Sequence, residues 1–383
     1  MTRPHRILFL AGRLQGGGSE HVLLQHVLAL DRQRFVPEVL AIDPHGENVQ
    51  RYLAAGVSVT GPPSGGHGYL RVLRFRRMLA ARCASGAVDL VHAWIELTTV
   101  IGPQAARAGG VPAVASQRNL GYWLGPLKRR LYRWSNARYL EAMVVNSDAI
   151  RRRLLEERLC PEERIHVVRN GVDLERFRPA PDRRPARAAL GLTPDLPLIG
   201  IVGTLKALKG QRDFIQALAE LAREEVAFQG VLVGDGPDRQ TLEAQVRETG
   251  LKGRVRFLGR RSDLEALYPA MDIAVLCSRT EGLPNVCVEA LACGCAQVVT
   301  PVGGVPEVVR HGIEGLHYAP GDTRALAGAL RTLLLDGEMR EQMGRAGRER
   351  ALREFGWETM QRRLEEIYEA VLSGGRAGRQ TRP

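Results

Sequence analysis

No run of about 18 apolar residues occurs in the 383-residue chain, so no membrane-crossing helix is expected. Met1 to Arg6 lead straight into the short apolar stretch Ile7 to Leu10, without the long hydrophobic segment and small-residue cleavage site of a secretory leader. The six cysteines (Cys83, Cys160, Cys277, Cys287, Cys293, Cys295) form no CxxC pair, and Cys293-Gly294-Cys295 is too tight for a zinc knuckle. Reduced, structural thiols in a cytoplasmic chain are expected. A GxxxxGK[ST] loop is missing, and neither Gly234-Asp235-Gly236 nor Gly16 to Gly18 continues as GxGxxG. Those absences speak against Walker-type nucleotide hydrolysis and ordinary dinucleotide binding. With no Asp-x-Asp pair and no HExxH either, no bound metal and no cofactor are expected.

What is present has the composition of a globular protein: 44% apolar, 25% charged and 5% aromatic residues, enough chain for two domains. Charge is uneven. Residues 1–185 hold 28 Lys/Arg against 16 Asp/Glu, whereas residues 186–383 hold 26 of each. Within residues 51–150 the balance is 13 basic to 4 acidic, a field that suits an anionic partner such as nucleic acid or anionic lipid.

Short apolar runs alternate with helical patterns along the whole chain, the mark of βαβ units and parallel sheets. Strands are expected at Arg6 to Leu10, Glu38 to Ile42, Val57 to Thr60, Asp89 to Ala93, Val111 to Ser116, Ala142 to Asn146 and Ile165 to Val168. A second series covers Leu198 to Val202, Gly230 to Val233, Val255 to Leu258, Ile273 to Leu276 and Gln297 to Thr300, with Ser262 capping a helix Asp263 to Met271. The reading is α/β, two tandem Rossmann-like, doubly wound parallel-sheet domains with a cleft between them. Domain one takes residues 1–180, a proline-rich linker 181–195, domain two 196–355, and a C-terminal helix crossing back to the first domain with a frayed tail 356–383.

Each domain has a glycine-rich turn after its first strand. Gly17 and Gly18 open a helix through Val22 to Leu30, where backbone amides favour anions. In the second domain, Gly203-Thr204-Leu205-Lys206-Ala207-Leu208-Lys209-Gly210 sets Lys206 and Lys209 beside a similar nest, an arrangement suited to a diphosphate. The strongest signal is Glu281-Gly282-Leu283-Pro284-Asn285-Val286-Cys287-Val288-Glu289. Glu281 falls at the carboxyl edge of a sheet and the amides of Leu283 to Val286 face outward, while Glu289, near the second helical turn, can accept hydrogen bonds from a ribose diol.

The run EGLPNVCVEALACGCAQVVTPVGGVPEVV (residues 281–309), together with GTLKALKG (203–210), VGDGP (233–237), VRNGVDLERF (168–177), VNSDAIRRRL (145–154) and GGSEHVL (17–23), resembles the family 4 retaining glycosyltransferases of GT-B fold over nearly the whole chain. The resemblance implies transfer of a sugar from a UDP- or GDP-linked donor with retention at the anomeric carbon, the donor held mainly by the second domain and the acceptor by the first. It places the ribose on Glu289 and the transferred sugar on Glu281. Gly282, Leu283, Pro284, Asn285 and Val286 line the phosphate and sugar pocket, Lys209 neutralises the diphosphate, and Gly17 and Gly18 close over it. Two departures stand out: Thr204 replaces a frequent arginine, a charge that Lys206 is placed to supply, and His92-Ala93-Trp94 keeps one of two histidines, leaving His92 as the candidate active-site histidine. Lys209, Glu281 and His92 are thus the candidate catalytic residues, with Glu96 near the acceptor.

Without a metal, departing phosphate charge falls to Lys206, Lys209 and the loop amides, and the leaving phosphate can itself deprotonate the acceptor. Domain closure would exclude water. Arg74 and Arg76 in YLRVLRFRRMLAAR (69–82), where Leu70, Leu73, Arg77 and Ala80 share a face, and Lys128, Arg129 and Arg130 further on, suit the anionic inner face of a cell membrane carrying a glycan or glycolipid acceptor. The protein is therefore expected to be cytoplasmic and peripheral at that membrane, in lipopolysaccharide, exopolysaccharide or lipid-linked oligosaccharide assembly. A nucleotide-sugar 2-epimerase or sugar-phosphate-dependent enzyme of the same fold is the alternative. A nucleic-acid-binding role is disfavoured by the charge-balanced second domain and its nucleotide-sugar signature.

Overall fold

A computed structural model describes residues 3–15, 17–63, 68–94, 97–120 and 125–377. The chain forms two compact units, the first running to Arg169 and taking the chain up again from Met360, the second spanning Asn170–Thr359.

Unit 1 contains strands β1 (His5–Arg13), β2 (Phe35–Asp43), β3 (Ser58–Thr60), β4 (Leu90–Trp94), β5 (Ala113–Gln117), β6 (Ala142–Val145) and β7 (Ile165–Val167). They pair in parallel in the order β3-β2-β1-β4-β5-β6-β7. Helices cover both faces of such a sheet, so its strands carry unbroken apolar runs: Ile7–Ala11 and all of β4 and β5 are buried. The helix Gly68–Ala84 packs Phe75, Leu79 and Cys83 inward, not the face through Leu70 and Arg77 that simple periodicity suggests; Leu70 stays exposed because the stripe starts one turn later.

Unit 2 contains β8 (Leu198–Val202), β9 (Gln229–Val233), β10 (Val255–Gly259), β11 (Ile273–Leu276), β12 (Ala296–Val299) and β13 (Gly315–His317), again parallel, in the order β10-β9-β8-β11-β12-β13. The helix Gln211–Arg223 shows how one face is covered: Phe214, Ile215, Leu218 and Leu221 recur at helical spacing and are fully buried. In both units the strand order reverses beside the first strand, between β1 and β4 and between β8 and β11, and ligands of such sheets bind beyond the carboxyl ends at that point.

Three expectations change. The stretch read as a linker packs onto unit 2 as the helix Arg184–Ala189, whose Pro185 sits in the first turn where no N–H is needed. Its buried Arg187 donates to Asp272 Oδ2 at 2.5 Å and to the Ala270 carbonyl at 2.9 Å. The helix read at 263–271 is a short turn, Leu264–Leu267, followed by a 3₁₀ turn at Tyr268–Ala270 where Pro269 interrupts it, and Ser262 does not cap it. Finally, the C-terminal helix Trp357–Ala377 extends past Ser373, burying Met360, Leu364, Ile367 and Tyr368.

Candidate functional site

At the reversal point of unit 2, the chain leaves β8 through Gly203 and makes a short turn, Ala207–Lys209, before the helix Gln211–Arg223. Gly210 holds that turn against β11: its φ of 68° is left-handed, and a Cβ there would lie 2.2 Å from the Cys277 carbonyl oxygen. Leu205, buried beneath, receives the Asp238 N–H and donates its own to Asp235, so the loops after β8 and β9 are tied together. Lys209 is thereby aimed across the end of β11. Its Nζ lies 2.5 Å from Glu281 Oε1, and the Ser278 hydroxyl donates to the same oxygen at 2.6 Å. Both charged side chains stay partly solvated, Lys209 27% and Glu281 12% exposed, so an incoming ligand can reach either.

Beyond Glu281, the Gly282 carbonyl accepts from Gly304, Leu283 is buried, and the helix Asn285–Ala292 begins after Pro284 with no side-chain cap. An uncapped start leaves a positive dipole end beside the Lys209–Glu281 pair, which favours a negatively charged ligand. Glu289 lies one turn into that helix, half-buried. Burial pushes its carboxyl up to about 7, with nearby Tyr268 and Arg176 opposing the shift and Glu265 adding to it, and Glu289 Oε2 has no hydrogen-bond partner among the described residues. A carboxylate oxygen held dry without a partner is unstable alone and ready to accept hydroxyl donors.

The structure thus gathers Lys209, Glu281, Gly282, Leu283, Pro284, Asn285, Val286 and Glu289 around one sheet edge. Thr204 and Lys206 are exposed on the same loop, and Lys206 forms no ion pair among the described residues. Ser278 and Asn170 join the site without a sequence signal of their own, although Ser278 stands three residues before Glu281 and Asn170 lies in VRNGVDLERF (168–177).

In unit 1, Gly17 precedes the helix Gly18–Ala29 in extended conformation, with the flexible Glu20 carboxylate against it. His92 departs from its expected active-site place. It is fully buried in β4, with Nδ1 2.6 Å from the Tyr368 hydroxyl and Nε2 2.8 Å from Ser116 Oγ. The same hydroxyl lies 2.6 Å from His26 Nε2, and His26 Nδ1 lies 2.7 Å from Gln361 Oε1. Because Gln361 Nε2 donates to Glu365, its oxygen accepts from His26 Nδ1–H. Tyr368 then donates to His26 and accepts from His92, whose Nε2 accepts from Ser116, and every donor is matched with both histidines neutral. Burial drives His26 down to about 3 and His92 well below its ordinary value, the fixed charge of Arg118 adding to both. Both ring nitrogens of His92 are thus paired inside unit 1. Trp94, beside it, donates to the Ser19 carbonyl and carries the Arg118 guanidinium 4.1 Å above its ring. Glu96 lies outside the described residues.

The basic helices of unit 1 are Gly68–Ala84 and Pro126–Tyr139. Arg74, Arg76, Lys128 and Arg130 are exposed, whereas Arg129 is half-buried and pairs with Glu157 at 3.5 Å. Apolar side chains share these helices: Tyr69 is 73%, Leu127 71% and Trp134 48% exposed.

Among the described residues no helix is long and apolar enough to cross a membrane. Compared with known protein families, residues 16–176 match Glycosyltransferase Family 4 and residues 182–350 match Glycosyl transferases group 1. A D-inositol 3-phosphate glycosyltransferase of Mycobacterium marinum is 32% identical over 309 residues, covering 77% of this chain but 66% of its own length, just under two thirds. Its counterpart in Mycobacterium avium is 31% identical over 369 residues, 87% of this chain and 86% of the relative. In fold, the chain matches Anabaena Alr3699/HepE, solved in complex with UDP, with a TM-score of 0.85 at 24% identity over 95% of this chain and 100% of that one. The chain belongs to family 4 of the glycosyltransferases and has their GT-B fold.

Proposed function

We propose that the protein transfers a sugar from a nucleoside-diphosphate sugar, UDP- or GDP-linked, to a hydroxyl group with retention of anomeric configuration, without a metal ion. The observation that carries this reading is the Lys209–Glu281 pair at the carboxyl edge of β8 and β11, beside the uncapped helix start at Asn285. In the resting chain the two side chains neutralise each other. Donor binding exchanges that contact for better ones: Glu281 accepts from sugar hydroxyls, and Lys209, with Lys206 and the amides of Leu283 to Val286, takes the diphosphate. Glu289 accepts from the ribose diol, which supplies the missing partners of Oε2. Gly17 and Gly18, at the start of the helix Gly18–Ala29 in unit 1, are the remaining donor-binding candidates.

In the reaction, the bond from the anomeric carbon to the β-phosphate oxygen breaks as the acceptor oxygen bonds to the same face. The acceptor proton passes to the departing phosphate. Lys209 and the helix amides stabilise the negative charge that develops on the leaving group.

The acceptor is a glycan or glycolipid at an anionic membrane surface. Names of the relatives favour a second candidate, a small phosphorylated polyol, for which a basic field would also serve. Exposed Tyr69, Leu127 and Trp134 among the arginines support the membrane, because a soluble anion has no use for solvated apolar side chains whereas a lipid interface buries them. Sedimentation with vesicles tests this part: the protein should pellet with phosphatidylglycerol-containing but not pure phosphatidylcholine vesicles, and about 0.5 M salt should release it. Changing Arg74, Arg76, Lys128, Arg129 and Arg130 together to Ser should abolish pelleting and spare nucleotide binding. Failure of the unaltered protein on both vesicle types would leave a soluble acceptor.

A further inference from the structure

Asn170 is the first residue of unit 2 and is 4% exposed. Its carboxamide nitrogen lies 3.3 Å from the Leu283 carbonyl oxygen and 2.5 Å from Asn285 Oδ1. One NH₂ group carries two hydrogens, so a single side chain can serve both acceptors, which flank Pro284. That proline has no N–H of its own, and the helix it precedes has no side-chain cap. Backbone holds the helical side of this turn, the Pro284 carbonyl accepting from Cys287 and Val288, and Asn170 adds a side-chain donor to the Leu283 carbonyl and to Asn285. Asn170 is held in turn by backbone: Val172 N–H donates to Phe355 at 2.9 Å, and Trp357 N–H returns to Val172 at 3.0 Å. Gly171 fits only as glycine against this ladder, since a Cβ would lie 2.7 Å from Trp357 Cα.

We infer that Asn170 is a positioning residue for the diphosphate site: it fixes the Leu283–Asn285 turn so that the helix amides face the phosphates and the Leu283 carbonyl is held by a donor instead of opposing them. The inference rests on the nucleotide-sugar reading above. Without the amide, the Leu283 carbonyl and the Asn285 side chain lose a shared donor, and the turn must be ordered when the ligand arrives.

Calorimetric titration of UDP and GDP into the full-length protein tests it, alongside donor kinetics and thermal melting of the same preparations. Asn170→Ala should weaken the better-bound nucleotide about tenfold, the worth of one to two hydrogen bonds, and raise the donor KM in proportion while kcat changes less. Asn170→Asp is nearly isosteric and can recover the Asn285 contact if that amide turns over, yet it sets a carboxylate against the Leu283 carbonyl. It should bind nucleotide at least as poorly as Asn170→Ala, by more than its lowered melting temperature accounts for, a split that a merely structural role would not produce; it also carries the test should Asn170→Ala fail to fold. Unchanged nucleotide affinity in the folded variants, or losses that only track melting temperature, would overturn the inference and leave the glycosyltransferase reading intact. Failure of the unaltered protein to bind either nucleotide would remove both.

Discussion

β4 and β11 hold corresponding places in the two sheets, each pairing with its unit's first strand on the side away from the second. Polar residues sit on or just after both, and they are used in opposite ways. In β4, His92 turns inward, and a closed circuit through Tyr368, His26, Gln361 and Ser116 satisfies every ring nitrogen. After β11, Ser278 and Glu281 converge with Lys209 at the sheet edge, and Glu289 nearby keeps an oxygen without a hydrogen-bond partner among the described residues. A polar group whose bonds close within its own unit stabilises that unit. One whose bonds are provisional, or missing, is available to a ligand.

The sharpest way to break this contrast is to remove a group on each side. Lys209→Ala should lower kcat/KM for the donor by about 10²- to 10³-fold, the scale of losing a donor that stabilises developing charge, with little change in melting temperature because the lysine is partly solvated. Steady-state kinetics with a nucleotide-sugar panel reads this directly. An effect below about threefold would move the charge stabilisation elsewhere.

The converse holds in unit 1. His92→Ala should destabilise the protein by about 2–4 kcal/mol, since it opens a cavity and orphans Ser116 and Tyr368. Tyr368→Phe should destabilise it by about 1–3 kcal/mol and leave donor turnover of the folded protein unchanged. The circuit also sets a pH dependence. His26 is held neutral down to about 3 in the folded chain but takes a proton near 6.5 when unfolded. Its contribution is therefore complete above 6.5 and is lost as pH falls below that value, by about 2 kcal/mol at pH 5. His92, shifted the same way, adds to the loss. Chemical denaturation between pH 5 and 8 measures it, and a flat profile would contradict the closed circuit.

Glu289 should show the opposite trade. Its carboxyl is raised to about 7, so ionising it above that pH opposes folding, while the ionised form is what accepts from a ribose diol. Nucleoside-diphosphate affinity should accordingly rise as pH increases through 7, with uptake of nucleotide releasing protons. Glu289→Gln should weaken binding but raise stability at pH 8 by about 1–3 kcal/mol. A variant less stable than the original at that pH would mean that the carboxylate already has partners.

Much of the fold was legible because parallel strands buried on both faces must be apolar throughout: Leu198–Val202 and Ile273–Leu276 fall where their runs predict. The edge strand β13 was not, being three residues that begin with Gly315 and carry little apolar signal. Nor was the Arg184–Ala189 helix, since proline reads as a breaker unless its place in the first turn is known. At the site, Lys209 and Glu281 were readable from the loops that carry them, but not their contact with each other. The burial and pairing of His92 were hidden for the same reason that Asn170 was passed over: their partners lie 276 and 113 residues away, and no local pattern announces such a bond.

Isothermal titration of UDP and GDP in excess EDTA tests most directly whether the edge of β8 and β11 binds a nucleoside diphosphate through Lys209 and its neighbouring groups without a metal ion. Saturable binding of one of them is expected with chelator present, weakened at least about tenfold in Lys209→Ala. Binding that vanishes with EDTA and returns with magnesium or manganese, or that Lys209→Ala leaves unchanged, would contradict it.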